Sequence, residues 1–275
     1  MRFSMLLGMV AVWGCHASDE PCEGEACATE PVVPMPLEVT VIVEPDDTDA
    51  PDTTNDTADT ALGTTDTAPE IATFEGNIAV VDAATLESLT GVEVITGNLI
   101  INAETLSNLT GLEALRHVGG HLVIDVVPAM SDMSALSGLE TIGGGLEIYE
   151  AALVPDLQFL TSLTTVGHHL SIERLPLVTS LAGIDHLTHV GGDFKVQTMG
   201  GLTSLNGLAI THVNGRLTIK NNNHLQSLEG LEVITQVDSL KITENNNLCE
   251  DVIEDAIEHI VITNKLEIED NDDDC

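Results

Sequence analysis

A phrase of the form Gly-x-Leu-x-Ile, or a close variant of it, returns about every 23 residues through the last three quarters of the chain, and few folds tolerate such a period. Its first apolar member falls at Ile78, Leu99, Leu122, Leu146, Leu170, Phe194, Leu217, Leu240 and Leu266, in steps of 21, 23, 24, 24, 24, 23, 23 and 26. Two residues later stand Val80, Ile101, Ile124, Ile148, Ile172, Val196, Ile219, Ile242 and Ile268. Alternation of this kind is strand periodicity: two side chains point inward and the residue between them points outward.

A second phrase follows many of these strands: Leu86, Leu89, Gly91 and Val92; Leu106, Leu109, Gly111 and Leu112; Leu202, Leu205, Gly207 and Leu208; Leu225, Leu228, Gly230 and Leu231. A unit of 23 or 24 residues with one short strand cannot bury its own apolar side. Stacking solves this by setting each Leu beneath its counterpart about 4.8 Å away. The expected fold is mainly β, a parallel right-handed β-solenoid of about nine coils, roughly 38 Å long. Each buried Leu or Ile contributes about 1.5 to 3 kcal/mol before conformational entropy is subtracted.

Gly215-Arg216-Leu217-Thr218-Ile219, followed by Asn222, Leu225, Leu228, Gly230 and Leu231, resembles the receptor L-domain family. Members of that leucine-rich-repeat-like family serve as ligand-binding lobes in receptor ectodomains and occur in many bacterial and fungal surface proteins. The resemblance implies architecture, because its repeated residues are core and turn positions. This chain lacks the cysteine-rich modules and kinase of the receptors, so hormone specificity and signalling are not implied.

Asn222, Asn245 and Asn271 each lie five residues after a strand anchor, where stacked amides can satisfy turn backbone groups from coil to coil. The last unit differs. Asn247 with Glu250 matches a capping box, and Val252, Ile253, Ala256, Ile257 and Ile260 mark one face of a helix expected to cap the core.

The first 70 residues obey other rules. Arg2, an apolar stretch over residues 5–13 and Val12-Trp13-Gly14-Cys15 resemble a bacterial lipoprotein signal, with residues 1–14 removed and Cys15 carrying diacylglycerol. An ordinary signal-peptidase cut near Cys15-His16-Ala17 would instead give a secreted protein. Residues 16–70 hold 15 acidic side chains, seven of the ten prolines and no Lys or Arg. Such a segment cannot bury enough apolar surface to offset its ordering entropy. Residues 15–70 are therefore expected to be a disordered tether with a reach of roughly 40 Å or more. Leu37, Val39, Val41 and Val43 alternate with Glu38, Thr40, Ile42 and Glu44 in it, a strand periodicity that would pair with the first edge of the domain or else remain an unstructured apolar island. The solenoid domain spans residues 71–275. Once Cys15 is assigned to lipid, Cys22 with Cys27 and Cys249 with Cys275 remain as two local disulfides in an oxidising compartment, with free thiols as the alternative.

A net charge of −37, from 45 Asp plus Glu against 8 Lys plus Arg, argues against nucleic acid as a partner. Only six aromatic residues leave little material for a sugar- or nucleotide-stacking pocket. No Ser-His-Asp or phosphate-loop signature is present. His168 and His169 are adjacent, and His189 and His212 recur at one place in neighbouring units, but no Cys or acidic partner recurs with them at ligand spacing. The acidic run Asp270-Asn271-Asp272-Asp273-Asp274 lacks the Gly and terminal Glu of an EF-hand loop. No cofactor and no metal are expected.

The cations are more informative. Lys195, Arg216, Lys220, Lys241 and Lys265 are five of eight, and all project from the outward side of expected strands in the last four units. Cross-strand compensation explains them if Asp193 lies beside Arg216, Lys241 beside Glu267, and Glu173 near Gln197 and Lys220. Recognition of an acidic or polar partner is the functional reading. The sequence thus points to a non-enzymatic lipoprotein, held at the outer membrane or cell surface by its lipid, that binds a protein or glycan. An acidic coat or spacer without a ligand is the alternative, and a polysaccharide-cleaving β-helix enzyme is a more distant one.

Overall fold

A computed structural model describes residues 71–272, which form a mainly β structure with a long parallel sheet and few helices. Cys15, Cys22, Cys27, Cys275, the signal, the tether and the strand read over residues 37–44 lie outside the described residues.

The repeat is realised as register. Ile78 pairs with Leu99, Leu99 with Leu122, and so on through Leu146, Leu170, Phe194, Leu217, Leu240 and Leu266, all in parallel. Typical strands of this ladder are Leu122–Asp125, Leu146–Tyr149, Leu170–Glu173 and Phe194–Gln197. Register is fixed because a slip of one residue would turn every anchor out of the core. The anchors from Ile78 to Ile242 are buried, most of them completely. They form one aliphatic cluster with Leu89, Leu109, Leu205, Leu228 and their equivalents in the second phrase.

A second parallel ladder of two-residue strands runs from Thr73–Phe74 to His189–Val190. It joins the first in His212–Lys220, a strand long enough to pair with both. Between the ladders the backbones approach closely. A Cβ on Gly167 would stand 2.1 Å from the carbonyl oxygen of Gly143, and one on Gly143 would stand 2.3 Å from that of Gly119, so only glycine fits at these two positions. At the other end of the strands the chain turns through the left-handed region at Val126, Glu150, Arg174, Thr198, Asn221, Glu244 and Asp270, with φ between 48° and 60°.

The expected asparagine ladder is present. Asn222 and Asn245 are fully buried, and their amides bridge successive turns. Asn222 Oδ1 accepts from the Met199 N–H at 2.9 Å, and Asn222 Nδ2 donates to the Val196 carbonyl at 3.2 Å. Asn245 Nδ2 donates to the Ile219 carbonyl and to Asn271 Oδ1.

The last unit departs from expectation in three ways. After the short helix α1 of the first unit, Ala83–Glu87, the last unit carries helix α2, Glu250–Ile257, with Cys249 as its N-cap. Asn247 is therefore not a capping-box residue. Its amide donates to the Asn223 carbonyl at 2.7 Å and is committed to the preceding turn. Ile253 and Ile257 face inward as expected, but Val252 is 39% exposed. Leu266 is 48% exposed rather than buried, because among the described residues its strand, Val261–Glu269, pairs on one side only, with Gln236–Thr243. Cys249 is disulfide-bonded.

Candidate functional site

Parallel register carries over to the outward side chains. Between the two buried anchors, one column runs Ala79, Ile100, Val123, Glu147, Ser171, Lys195, Thr218, Lys241 and Glu267. Two residues along, the next column runs Asp125, Tyr149, Glu173, Gln197, Lys220, Thr243 and Glu269. Arg216, Ser239 and Lys265 belong to the column before the first anchor. The five cations thus occupy three adjacent columns of one face, as their spacing implied.

The four lysines each meet a carboxylate. Lys195 pairs with Glu173 at 3.2 Å, Lys220 with Glu244 at 3.2 Å, and Lys241 and Lys265 share Glu267 at 2.5 and 2.7 Å. Hydrogen bonds from Lys241 and then Lys265 hold the Glu267 carboxyl down at about 2. The partners differ in part from those expected. Glu173 takes Lys195 rather than Lys220, and Asp193 accepts the backbone N–H of Arg216 at 2.8 Å.

Upstream of the lysines the same face is acidic and carries imidazoles. His169 Nε2 lies 2.9 Å from Glu147 Oε1, one rung away. His121 stands two rungs before His169, with Gly145 between them, and its Nδ1 accepts the Gly145 N–H at 3.0 Å. The two rings are 5.7 Å apart, and one ligand atom from each of His121, Glu147 and His169 falls within 4.8 Å of the others. All three residues are half-buried. Gly145 makes this possible: a Cβ there would lie 2.5 Å from His169 Cε1 and 2.7 Å from its Nε2.

Further along the same strands stand more carboxylates. Burial, and after it the charge of Glu150, pushes the Asp125 carboxyl up, with a smaller contribution from Glu147. Arg174 pairs with Glu150 and lies over the Tyr149 ring at 4.8 Å. The phenol of Tyr149 is also pushed up, chiefly by burial.

His189 and His212, which share a place in the repeat, are both exposed. The grouping of His121 with Glu147 and His169 was not read from the sequence. Its members sit in two different columns, so no fixed spacing announces them. The available signal was His121, Gly145 and His169 at the position before three successive anchors, with a carboxylate two residues beyond the glycine. No protein-family model, curated protein or solved structure matches the chain.

Proposed function

We propose that the chain is a non-enzymatic cell-envelope lipoprotein whose parallel β-solenoid displays a face for binding a protein or glycan. In this reading about nine right-handed coils of the receptor L-domain type stack along one axis, α2 closes the core, and residues 15–70 tether the domain to a lipid on Cys15. The observation that carries it is the in-register outward face, where aliphatic, acidic, imidazole and lysine side chains succeed one another in fixed columns. A flat, patterned surface on a rigid support suits recognition of an extended partner. The address is supported by Arg2, the apolar stretch and Val12-Trp13-Gly14-Cys15.

The ion pairs favour a second reading, an acidic spacer without a ligand, because every lysine on the face is compensated, Lys195, Lys220 and Lys241 by a carboxylate of a neighbouring unit and Lys265 by Glu267 of its own strand. Capture of envelope components by the purified chain separates the two. A recognition module retains a saturable partner, and replacing Lys195, Lys220 and Lys241 together by Glu abolishes capture while leaving the folded circular-dichroism spectrum in place. Capture by the variant equal to that of the native chain removes this face as the binding site. Metabolic labelling with a fatty-acid analogue tests the address, since label must disappear in Cys15→Ala.

A further inference from the structure

We infer that His121, Glu147 and His169 form a surface centre for a divalent transition-metal ion of the zinc type. Three donors from three successive rungs converge: His121 from the strand beginning at Leu122, Glu147 from Leu146–Tyr149 and His169 from the strand beginning at Leu170. Their ligand atoms already lie within 4.8 Å of one another. Donors around one tetrahedral zinc ion stand roughly 3 to 3.5 Å apart, so closing on the ion takes side-chain rotation and no movement of the ladder.

The support beneath the donors is rigid. Leu122, Leu146 and Leu170 are completely buried and paired in register, which fixes the backbone of each donor. The rung between the two histidines is a glycine, and the His169 ring occupies the space that any larger residue at position 145 would fill. His169 Nε2 and Glu147 Oε1 are in hydrogen-bond contact, a pairing that holds the imidazole against its carboxylate. Ligation exchanges that bond, and the one between the Gly145 N–H and His121 Nδ1, for bonds to the ion.

The donor set selects the ion class. Two imidazoles and one carboxylate suit zinc, copper, nickel or iron, whereas calcium and magnesium require oxygen ligands in larger number. In the adjoining column Glu173 is paired with Lys195, and Glu150 beyond it with Arg174, so the negative charge added near the trio comes chiefly from Asp125. Three protein donors on a half-exposed face leave at least one coordination position to water.

Zinc binding is independent of partner capture, and its test uses the full-length chain. Zn2+ is titrated into protein pretreated with chelator, in competition with a chromophoric chelator, and Co2+ is titrated in parallel for its ligand-field absorption. One high-affinity equivalent is expected per chain, weakened about tenfold or more by each of His121→Ala, Glu147→Gln and His169→Ala. Gly145→Ala should weaken it similarly while leaving all three donors in place. His189→Ala and His212→Ala should not. Excess Ca2+ or Mg2+ should not compete. The Co2+ spectrum reports ligation in the native chain, so the result does not rest on variants alone. Zinc binding by the chain carrying His121→Ala, Glu147→Gln and His169→Ala together equal to that of the native chain, or no binding by the native chain, overturns the inference.

Discussion

Asn245 Oδ1 accepts the backbone N–H of Asn222 at 2.9 Å, so a side chain of one unit completes the hydrogen bonding of the turn before it. Asn222 repeats the operation one unit earlier, on Met199. Both amides are fully buried, and each replaces water that the turn cannot reach. Asn222→Ala strands the Met199 N–H and the Val196 carbonyl and should cost about 2 kcal/mol or more. Gln226→Ala, at an exposed position of the same unit, should stay within about 0.5 kcal/mol. Urea unfolding of the two variants measures the difference.

The glycine column makes a paired prediction. Gly167→Ala drives a methyl group to 2.1 Å from the Gly143 carbonyl oxygen, a backbone atom that cannot turn aside. A loss of about 3 kcal/mol is expected, the upper end of ordinary overpacking. Gly192→Ala meets nothing closer than 3.4 Å and should be nearly silent. Thermal unfolding followed by circular dichroism distinguishes the two substitutions.

Left-handed turn positions predict a gain. Val126 sits at φ 48° although it is β-branched, while Asn221 and Asp270 fill the equivalent positions later in the chain. Asn tolerates this region far better than Val. Since Val126 is 36% exposed, little packing is forfeited, and Val126→Asn should stabilise by about 0.5 to 1 kcal/mol. An unchanged or lowered urea midpoint would contradict this account of the turn.

Acid sensitivity follows from Glu267. Its carboxyl is held at about 2 against an ordinary 4.5, first by the hydrogen bond from Lys241 and next by that from Lys265. A folded value below the unfolded one means that the contribution is complete above about pH 4.5 and disappears as pH falls through about 2. Because the lysines are partly exposed, the pair is worth no more than about 1 kcal/mol. Glu267→Gln should flatten the loss of stability across that window. Carboxyl NMR titration should show Glu267 moving toward its ordinary value in Lys241→Ala.

The ladder was legible in the sequence because one column of Leu, Ile and Phe repeats with little variation, and close packing of an aliphatic core demands that repetition. The asparagines were legible for the same reason, since burial of an amide fixes its place in the turn. Asn247 misled because a polar residue three positions before Glu250 satisfies a local capping rule, while its amide answers to Asn223 in the previous unit. The pairing of His121, Glu147 and His169 is likewise a relation between units. Proximity there depends on which column each residue joins and on the missing side chain at Gly145, and both emerge only when the units are aligned anchor on anchor rather than searched along the chain.

Equal steps of 24 residues from Leu122 to Leu146, Leu170 and Phe194 have a consequence for how such a gene can change. Each rung meets only the rungs on either side, so an in-frame duplication or loss of one whole segment joins compatible surfaces on both flanks. Length can therefore drift over generations while the interior recipe stays constant, and selection is left to rewrite the few outward letters of each copy.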